Sequence, residues 1–324
     1  MPQKTLVQGV NDAIVEEMES NNRVIVLGED VGRNGGVFRA TQGLFERFGP
    51  RRVIDTPLSE SGIIGVSIGL ALYGYKPIAE IQFADFIYPG FDQIASELSK
   101  IRYRSAGQYS APVVIRAPYG AGVRSGPYHS QSIESFFAHI PGLKLVIPSC
   151  PYDAKGLLKS SIRDPDPVIF LEPKSIYRSF RSEVPDTDFT IPLGMANVLL
   201  SGKDVSIFAY GAMIRKAMEA AEVCQEVGID SEVVDLRTLI PLDVKAVLNS
   251  VQKTGRAIIV YEAPKTMGFG AELAALIAEQ ALDYLKAPIV RVGGFDTPVH
   301  FALDSLYVPS VERIANAIKK VVRE

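Results

Sequence analysis

The sequence has no tryptophan and only two cysteines and three histidines in 324 residues. Cys150 and Cys224 are too few for a disulfide framework or a zinc cluster, and they fit a reducing compartment. The formal net charge is −3, from 34 basic and 37 acidic residues, and no long block of one sign occurs. This balance argues against nucleic acid or an anionic membrane surface as the main partner.

Long apolar runs are also missing. The most apolar stretch, GIIGVSIGLALYGY (62–75), is glycine-rich and shorter than the about 20 residues that a membrane span needs. It therefore predicts a buried helix. The opening segment, MPQKTLVQGVNDAIVEEMES, shows neither an apolar signal core nor transit-peptide character, so we expect a cytoplasmic protein of prokaryotic type.

Strand and helix patterns alternate along the first half of the chain. Thr5 and Gln8 have the spacing of a capping box that opens an amphipathic helix. Short apolar runs typical of strands buried on both faces follow at 23–28, 52–55, 77–82, 112–118, 143–148 and 167–172. Helical patterns lie between them, notably at 91–104 and 151–163. This alternation predicts an α/β fold with a mainly parallel sheet.

The alternation breaks at 180–203 and then restarts. The polar, proline-containing stretch RSEVPDTDFT and the turn-like SGKD predict a boundary, which divides the chain into domains 1–190 and 191–324. The second half has strand patterns VSIFAY, SEVVDL, RAIIVYE and PIVRV, and helical patterns at 212–227, 242–252, 270–285 and 309–322. We therefore expect a second α/β domain.

Several common catalytic motifs are absent. The sequence contains no GxxxxGK[ST] phosphate loop, no HExxH and no CxxC. Gly268-Phe269-Gly270 is similar to a dinucleotide loop, but Leu273 stands where that motif needs its third glycine. A tight strand-to-helix turn is the better interpretation. These patterns alone predict a two-domain α/β protein and leave its activity open.

Four polar segments interrupt otherwise apolar parts of the sequence. They are GEDVG (28–32), DTPLSESG (55–62), EIQFADF (80–86) and YHSQS (128–132), the last of which follows the glycine-rich YGAGVRSG (119–126). The first lies at the carboxyl end of a predicted strand, where ligand crevices form in open α/β sheets. These segments are the candidates for a functional site.

The sequence resembles a known family across nearly its whole length. The motifs that carry the resemblance are LGEDVG, GGVFRAT, DTPLSESGIIG, AEIQFADFIYPGFDQ, YHSQS, PSCPYDAKGLL and VVDLRTLIPLD. They are similar to the β subunit of the 2-oxo acid dehydrogenase E1 component, a thiamine-diphosphate-dependent family that includes the pyruvate and branched-chain enzymes. The resemblance implies a pyrimidine-binding α/β domain (1–190) followed by a transketolase C-terminal-like α/β domain (191–324).

The resemblance assigns Glu60 as the catalytic carboxyl group. Thiamine diphosphate needs an acid beside N1′ of its aminopyrimidine, where the hydrogen bond favours the imino tautomer. Glu60 begins the predicted apolar helix, which makes this role physically reasonable. The alternative is a carboxylate in a first helical turn, where the helix dipole stabilises it.

Four further residues match positions around the cofactor. Glu29 resembles a second acid at the strand end, although it could simply organise its loop. Gln82 and Phe86 resemble groups that line the aminopyrimidine, and some relatives have tyrosine in place of Phe86. Leu58 resembles an apolar wall of the site, with an ordinary core position as the alternative.

His129 is the best candidate for an acid/base group on the substrate side. A loop histidine can donate or accept a proton near pH 7 and can protonate a lipoyl sulfur during acyl transfer. A structural role is the alternative for any lone histidine. His139 and His300 are expected to be structural.

The family's monovalent-cation site, which would hold K⁺, has matching positions. The resemblance implies Val113, Val114, Ser161, Asp164 and Asp166, with a solvated turn as the alternative interpretation of SSIRDPD.

One family feature is missing from this chain. Thiamine-diphosphate enzymes hold Mg²⁺ and the diphosphate through a GDG…N motif, and the sequence contains no GDG. The resemblance implies that a separate E1 α subunit supplies that half of the site in an α2β2 heterotetramer. Gly65 and Gly69 in the apolar helix then predict a helix that packs at a subunit interface.

The implied activity is decarboxylation of a 2-oxo acid and reductive acylation of the lipoyl group of the E2 acyltransferase. YHSQS and FADFIYPGFDQ favour a branched-chain substrate, and a pyruvate dehydrogenase E1 β subunit is the alternative. A self-sufficient transketolase-type enzyme and a non-catalytic regulatory subunit are further alternatives.

Overall fold

The computed structural model describes residues 1–323, which form two compact units. The first comprises Met1–Tyr119 and Phe136–Leu193, and the second comprises Gly120–Ser135 and the described chain from Gly194 onward. The loop 120–135, which carries His129, therefore packs with the second unit. The predicted division at 190/191 assigns that loop to the first domain.

The first unit alternates strands and helices. Its strands are β1 (Gln3–Lys4), β2 (Val24–Gly28), β3 (Val53–Asp55), β4 (Lys76–Glu80), β5 (Val114–Tyr119), β6 (Lys144–Val146), β7 (Val168–Pro173) and β8 (Ser182–Glu183). Its helices are α1 (Leu6–Ser20), α2 (Leu44–Phe48), α3 (Glu60–Leu72), α4 (Ile101–Arg104) and α6 (Pro151–Arg163), and α5 (Glu134–Ala138) spans the division between the units.

Six of these strands form a parallel sheet in the order β6–β7–β5–β4–β2–β3. Strands β2, β5 and β7 are buried at every position, although Arg116 and Glu172 interrupt the apolar sequences of β5 and β7. Because all six run in one direction, their carboxyl ends share one edge of the sheet. The polar segments that follow β2, β3 and β4 emerge at that edge.

Helices α1 and α6 show that the predicted boundaries can be accurate even for a polar helix. The predicted capping box of α1 forms, and the Gln8 side-chain oxygen accepts the Thr5 N–H at 2.9 Å. Helix α6 covers the predicted range 151–163, and its Lys155 and Lys159 are fully buried. Both lysines pair with Glu16 of α1, at 2.7 Å for Lys155, which offsets the cost of burying their charge.

The predicted continuous helix at 91–104 is wrong. A π-helical turn (Gln93–Glu97) and a 3₁₀ turn (Leu98–Lys100) precede the short α4. Ile94 and Leu98 are buried and have helical spacing, so the pattern predicts the buried face correctly. It does not predict the π-helical and 3₁₀ hydrogen bonds of this segment.

The apolar segment 62–75 forms α3, but the prediction that it is buried is only half correct. Ile63, Ile64 and Ser67 face the interior, whereas Val66 and Leu72 are exposed, as is Tyr73 just beyond the helix. Within residues 1–323, no helix combines the length and apolar character needed to cross a bilayer. The open face of α3 is therefore an apolar surface of this chain.

The second unit repeats the α/β design. Its strands are β9 (Asn197–Leu200), β10 (Val205–Ala209), β11 (Ser231–Asp235), β12 (Thr238–Ile240), β13 (Ala257–Pro264) and β14 (Val290–Gly294). Its helices are α7 (Met213–Gln225), α8 (Val244–Thr254), α9 (Phe269–Ala281), α10 (Asp304–Tyr307) and α11 (Val311–Arg323).

The sheet of the second unit has the order β14–β13–β10–β11–β9. Four strands are parallel, and β9 pairs antiparallel with β11 at the edge. The boundary region 180–203 thus contains two strands, β8 and β9, that the polar pattern did not predict. The predicted helix 270–285 ends earlier, at Ala281, and a 3₁₀ turn (Leu282–Tyr284) follows. The predicted α/β class with mainly parallel sheets is confirmed.

Candidate active site

The carboxyl edge of the first sheet begins where β2 ends at Gly28. The chain turns there into a loop that carries Glu29, and the next strand ends at Asp55. The Gly32 N–H donates to Asp55 Oδ1 at 2.6 Å, which fixes the first loop against the end of β3. Two of the four polar segments are therefore joined directly.

Glu29 lies half-buried at this edge. Partial burial raises its pKa, and the negative charges of Asp30 and Glu60 raise it further. Glu60 is thus near enough for the two carboxyl groups to interact. Gln82 Nε2 donates to Asp30 Oδ2 at 3.4 Å, which brings the segment after β4 to the same place.

Glu60 is the first residue of α3, as the sequence predicts. Ser59 caps the helix by accepting the Gly62 N–H at 3.3 Å. The Glu60 side chain is half-buried, and no residue among 1–323 donates a hydrogen bond to it. A half-buried carboxyl group without a protein donor is available to a ligand.

The segment after β4 packs on the start of α3. Ser61 Oγ donates to the Pro89 carbonyl at 2.6 Å, which fixes the turn that follows Phe86. Phe86 and Phe83 meet edge-to-face with ring centroids 5.5 Å apart. Leu58 is 72 % exposed, so it is not an ordinary core residue of this chain.

A buried ionic network that the sequence analysis missed lies at the same end of the sheet. Arg116 donates two hydrogen bonds to Glu172, at 2.6 and 2.9 Å, and one to Glu80 at 2.6 Å. Tyr177 donates to Glu172 at 2.5 Å. Each of the three charged residues interrupts an apolar strand in the sequence, and that interruption was the available signal.

Gly36 shows how closely the first loop approaches this network. Its φ is +79°, and a Cβ there would lie 2.9 Å from Glu80 Oε1. Only glycine meets both conditions at low cost. Burial raises the pKa of Glu80, and the Arg116 guanidinium opposes that rise. The loop thus packs directly against the buried, charged side chains of this network.

His129 lies in the loop 120–135 of the second unit and is half-buried. The first unit brings together Glu29, Glu60 and Gln82, and His129 belongs to the second unit. His139 and His300 are exposed, and His300 Nδ1 accepts the Ala302 N–H at 3.1 Å in a local turn.

The predicted cation ligands are occupied by other groups. Asp164 pairs with Lys144 at 2.5 Å, Asp166 pairs with Arg102 at 2.5 Å, and Ser161 Oγ donates to the Leu157 carbonyl at 2.8 Å. The carbonyl of Val113 accepts the Val168 N–H at 3.0 Å, and Val114 is a sheet residue. Residues 1–323 hold no group of three or more His, Cys, Asp or Glu side chains suited to a metal ion.

Two known domain families match the two halves of the chain. Residues 3–179 match the transketolase pyrimidine-binding domain, and residues 194–314 match the transketolase C-terminal domain. Among solved structures, the chain is similar to a split-gene transketolase described as an inactive β4 tetramer, with a TM-score of 0.82, 25% identity and 99% coverage of both chains. It also matches 46% of a transketolase from Pichia stipitis at 15% identity and a TM-score of 0.71, which shows the fold alone.

Two characterised relatives are more similar in sequence. The 2-oxoisovalerate dehydrogenase subunit beta of Bacillus subtilis is 52% identical over 95% of this chain and 92% of the relative. The pyruvate dehydrogenase E1 component subunit beta of the same organism is 48% identical over 99% of both chains. Together with the domain order and the acidic edge of the first sheet, these matches show that the chain belongs to the β-subunit family of 2-oxo acid dehydrogenase E1 components.

Proposed function

We propose that this chain is the β subunit of a heterotetrameric E1 that decarboxylates a 2-oxo acid and acylates the lipoyl group of an E2 acyltransferase. The observation that carries the proposal is Glu60, which begins α3, has no hydrogen-bond donor among residues 1–323 and lies beside Glu29 at the carboxyl edge of a pyrimidine-binding domain. Thiamine diphosphate would supply the electron sink for decarboxylation when bound.

Glu60 would hold the proton shared with N1′ of the aminopyrimidine. Proton transfer requires the carboxyl group to lie within hydrogen-bond distance of its partner. No residue among 1–323 donates a hydrogen bond to the Glu60 side chain, so it can bond to the cofactor. The negative charge of Glu60 contributes to the raised pKa of Glu29, so the two acids interact at the same edge.

Gln82, Phe86 and Leu58 would form the rest of the pyrimidine pocket. The Gln82 amide can donate or accept a hydrogen bond, and the Phe86 ring offers an aromatic surface to the heterocycle. Leu58, 72 % exposed, would cover the cofactor and exclude water from it. These three residues position the cofactor and move no proton.

His129 would act toward the substrate and the lipoyl group. An imidazole near neutrality can protonate an oxygen or a sulfur and then recover its proton. His129 is half-buried in its loop.

The site needs a second chain. The sequence has no GDG motif, so we assign binding of Mg²⁺ and the diphosphate to an E1 α subunit. The exposed face of α3 supports an interface there, since a Cβ at Gly69 would meet no atom within 4 Å. We assign docking of E2 to the second domain.

The predicted K⁺ site stays a prediction that rests on the resemblance. Lys144 and Arg102 already neutralise Asp164 and Asp166. No step of the proposed reaction depends on a cation at these residues.

The substrate is proposed to be a branched-chain 2-oxo acid. The YHSQS and FADFIYPGFDQ motifs favour it, and pyruvate is the second candidate because relatives of both kinds are about equally similar. One methylene in an acyl pocket is worth only about 1–3 kcal/mol, so the preference is expected to be partial.

Reconstitution tests the proposal. The chain is combined with its α subunit, Mg²⁺ and thiamine diphosphate, and acylation of an isolated lipoyl domain is measured with pyruvate and with 3-methyl-2-oxobutanoate. We expect turnover only with α present and a higher kcat/KM for the branched substrate. A preference for pyruvate would establish the second candidate, and no turnover with either substrate would contradict the proposal. Tight binding of Mg²⁺–thiamine diphosphate by the chain alone in calorimetry would instead favour a self-sufficient transketolase-type enzyme.

A further inference from the structure

The loop that leads to His129 has an unusual backbone. Gly120, Gly122, Arg124 and Gly126 all have positive φ, at +84°, +96°, +57° and +75°. Left-handed residues thus occur at every second position of 120–126. Such alternation turns successive backbone N–H groups toward a common side, where they form a concavity for an anion.

Two buried carboxylates of the second unit occupy that concavity. Asp304, at the start of α10, accepts the Gly122 N–H at 2.9 and 3.0 Å through its two oxygens, and the Arg124 N–H at 2.6 Å. Glu262, in β13, accepts the Ala121 N–H at 2.9 Å. Asp304 is 1 % exposed and Glu262 is 3 % exposed, so solvent does not compete for these bonds.

The fit is close enough to require glycine. A Cβ at Gly120 would lie 2.6 Å from Glu262 Oε2, and the φ at this position is one that L side chains rarely adopt. Hydrogen bonds from N–H groups to a carboxylate are shorter and stronger than those between neutral groups. The loop is therefore held by charge-assisted bonds at several adjacent positions.

The held segment connects directly to His129. Ser125 follows Arg124 and donates to the His129 carbonyl at 3.0 Å. The His129 N–H donates to the Gly126 carbonyl at 3.3 Å, and the Gly120 N–H donates to the Gln131 carbonyl at 3.0 Å. The backbone on both sides of His129 is thus bonded to the segment that the two carboxylates hold.

We infer that Asp304 and Glu262 are positioning residues, which fix the 120–126 loop through its backbone N–H groups and thereby set the place of the His129 imidazole. The inference rests on the proposed function of His129. Neither carboxylate needs to touch a substrate, because each acts through the loop.

Asp304→Asn is the sharpest variant. It keeps the size of the side chain but replaces one acceptor oxygen with an N–H₂ donor that faces backbone donors. We expect kcat for acylation of an isolated lipoyl domain by the α-reconstituted enzyme to fall about 10- to 100-fold, since a displacement of about 1 Å can cost 100-fold. Affinity for thiamine diphosphate should stay unchanged. Asp283→Asn, at an exposed position of the same unit, is the matched control.

Trypsin provides a readout independent of activity. Arg124 is exposed, and its peptide bond becomes a substrate once the loop opens. We expect cleavage after Arg124 to be at least about tenfold faster in Asp304→Asn and in Glu262→Gln than in Asp283→Asn, because opening no longer breaks a charge-assisted bond. Unchanged cleavage together with unchanged acylation would overturn the inference.

A double variant separates positioning from a general structural defect. In the His129→Ala background, Asp304→Asn should cause little further loss of acylation, because the group that it positions is gone. Full additivity would overturn the inference. If Asp304→Asn does not fold, Ser125→Ala tests the next link, with the same expected fall in acylation and with wild-type acylation as the contradicting result. If the wild-type enzyme acylates no lipoyl domain, the proposed function of His129 fails, and the trypsin comparison still decides whether the carboxylates hold the loop.

Discussion

Each unit contains a pair of acids, Glu29 and Glu60 in the first and Glu262 and Asp304 in the second, but the surroundings of the two pairs differ. Glu29 and Glu60 in the first unit are half-buried, and no residue among 1–323 donates a hydrogen bond to either side chain. Glu262 and Asp304 in the second unit are buried and accept several backbone N–H groups. The difference separates acids that remain available to a ligand from acids that the protein uses to hold its own backbone.

The first unit also contains buried acids, and it balances them in another way. Glu80 and Glu172 share the Arg116 guanidinium, whereas Glu262 and Asp304 accept backbone N–H groups and also interact with the charge of Lys216. Buried carboxylates are thus stabilised by an arginine ion pair in the first unit and by backbone N–H donors in the second. Substitutions can test whether each carboxylate belongs to the class that its surroundings indicate.

The largest effect is expected for the open carboxylates. Glu60→Gln should lower kcat/KM of the α-reconstituted enzyme by about 100-fold or more, the usual scale for loss of a positioned proton donor or acceptor. Thermal unfolding should be unchanged, since no protein group depends on the carboxylate. Glu183→Gln, exposed on β8, serves as the control. Turnover of Glu60→Gln at the wild-type rate would show that the open acid has no catalytic role.

Arg116→Met tests the balanced pair of the first unit. Removing the guanidinium leaves Glu80 and Glu172 buried without a cation, which costs about 3–5 kcal/mol in comparable sites. The free energy of unfolding, measured by chemical denaturation, should fall by that amount. Adding Glu80→Gln and Glu172→Gln should recover much of the loss. A fall in the free energy of unfolding below about 1 kcal/mol would show that this ion pair contributes no more than a solvent-exposed one.

Glu134 tests the effect of burying a carboxyl group that has only part of its hydrogen bonds, because its Oε2 has no hydrogen-bond partner. Burial raises its pKa to about 7, the Tyr210 hydroxyl that donates at 2.8 Å opposes the rise, and the charge of Glu262 adds to it. Tyr261 and Tyr307 also interact with Glu134, and Lys216 interacts with Glu262. Between the ordinary value of 4.5 and about 7, the folded chain holds a proton that the unfolded chain has released.

Stability should therefore fall as the pH rises through that window, by at most about 3 kcal/mol, and stay low above it. Glu134→Gln removes this dependence. We expect the variant to match the wild type near pH 5 and to be more stable near pH 8 when both are unfolded by urea. Equal stabilities at both pH values would indicate that Glu134 ionises without penalty.

The smallest effect concerns apolar rather than charged surface. Gly69→Leu places a large side chain where a Cβ now meets nothing within 4 Å, so the isolated chain should fold normally. If α3 packs closely against another subunit, sedimentation velocity should show more dissociation of the assembled enzyme. Ala275→Leu, at an exposed position of α9, controls for added apolar area. Assembly that is unaffected by Gly69→Leu would argue against an interface at this helix.

Local patterns predicted the parts of the fold that local physics decides. The capping box of α1, the bounds of α6 and the buried strands β2, β5 and β7 all follow from short-range spacing. The apolar content of α3 predicts a buried helix, but one face of it is exposed. Apolar content alone does not show which face of a helix remains uncovered in a single chain. The segment 91–104 kept its apolar spacing but not its hydrogen bonds, which depend on neighbouring elements.

The candidate site was predictable only in part. Glu60 follows from its place at the start of a helix together with the resemblance, and its location there is confirmed. The partnership of Arg116 with Glu80 and Glu172 was not predicted, because the three residues come from separate strands. Asp304 is separated from Gly122 by 182 positions, and no local pattern indicates such a contact.

That separation has a consequence during synthesis on the ribosome. The glycine-rich loop is translated long before the carboxylate that accepts its N–H groups, since Asp304 follows Gly122 by 182 positions. At elongation rates of about 5–20 residues per second the delay is roughly 10 to 40 s, and a nascent chain released before Asp304 would carry His129 on an unanchored loop. A truncated product could therefore contain every residue of the pyrimidine-binding domain and still lack an ordered His129.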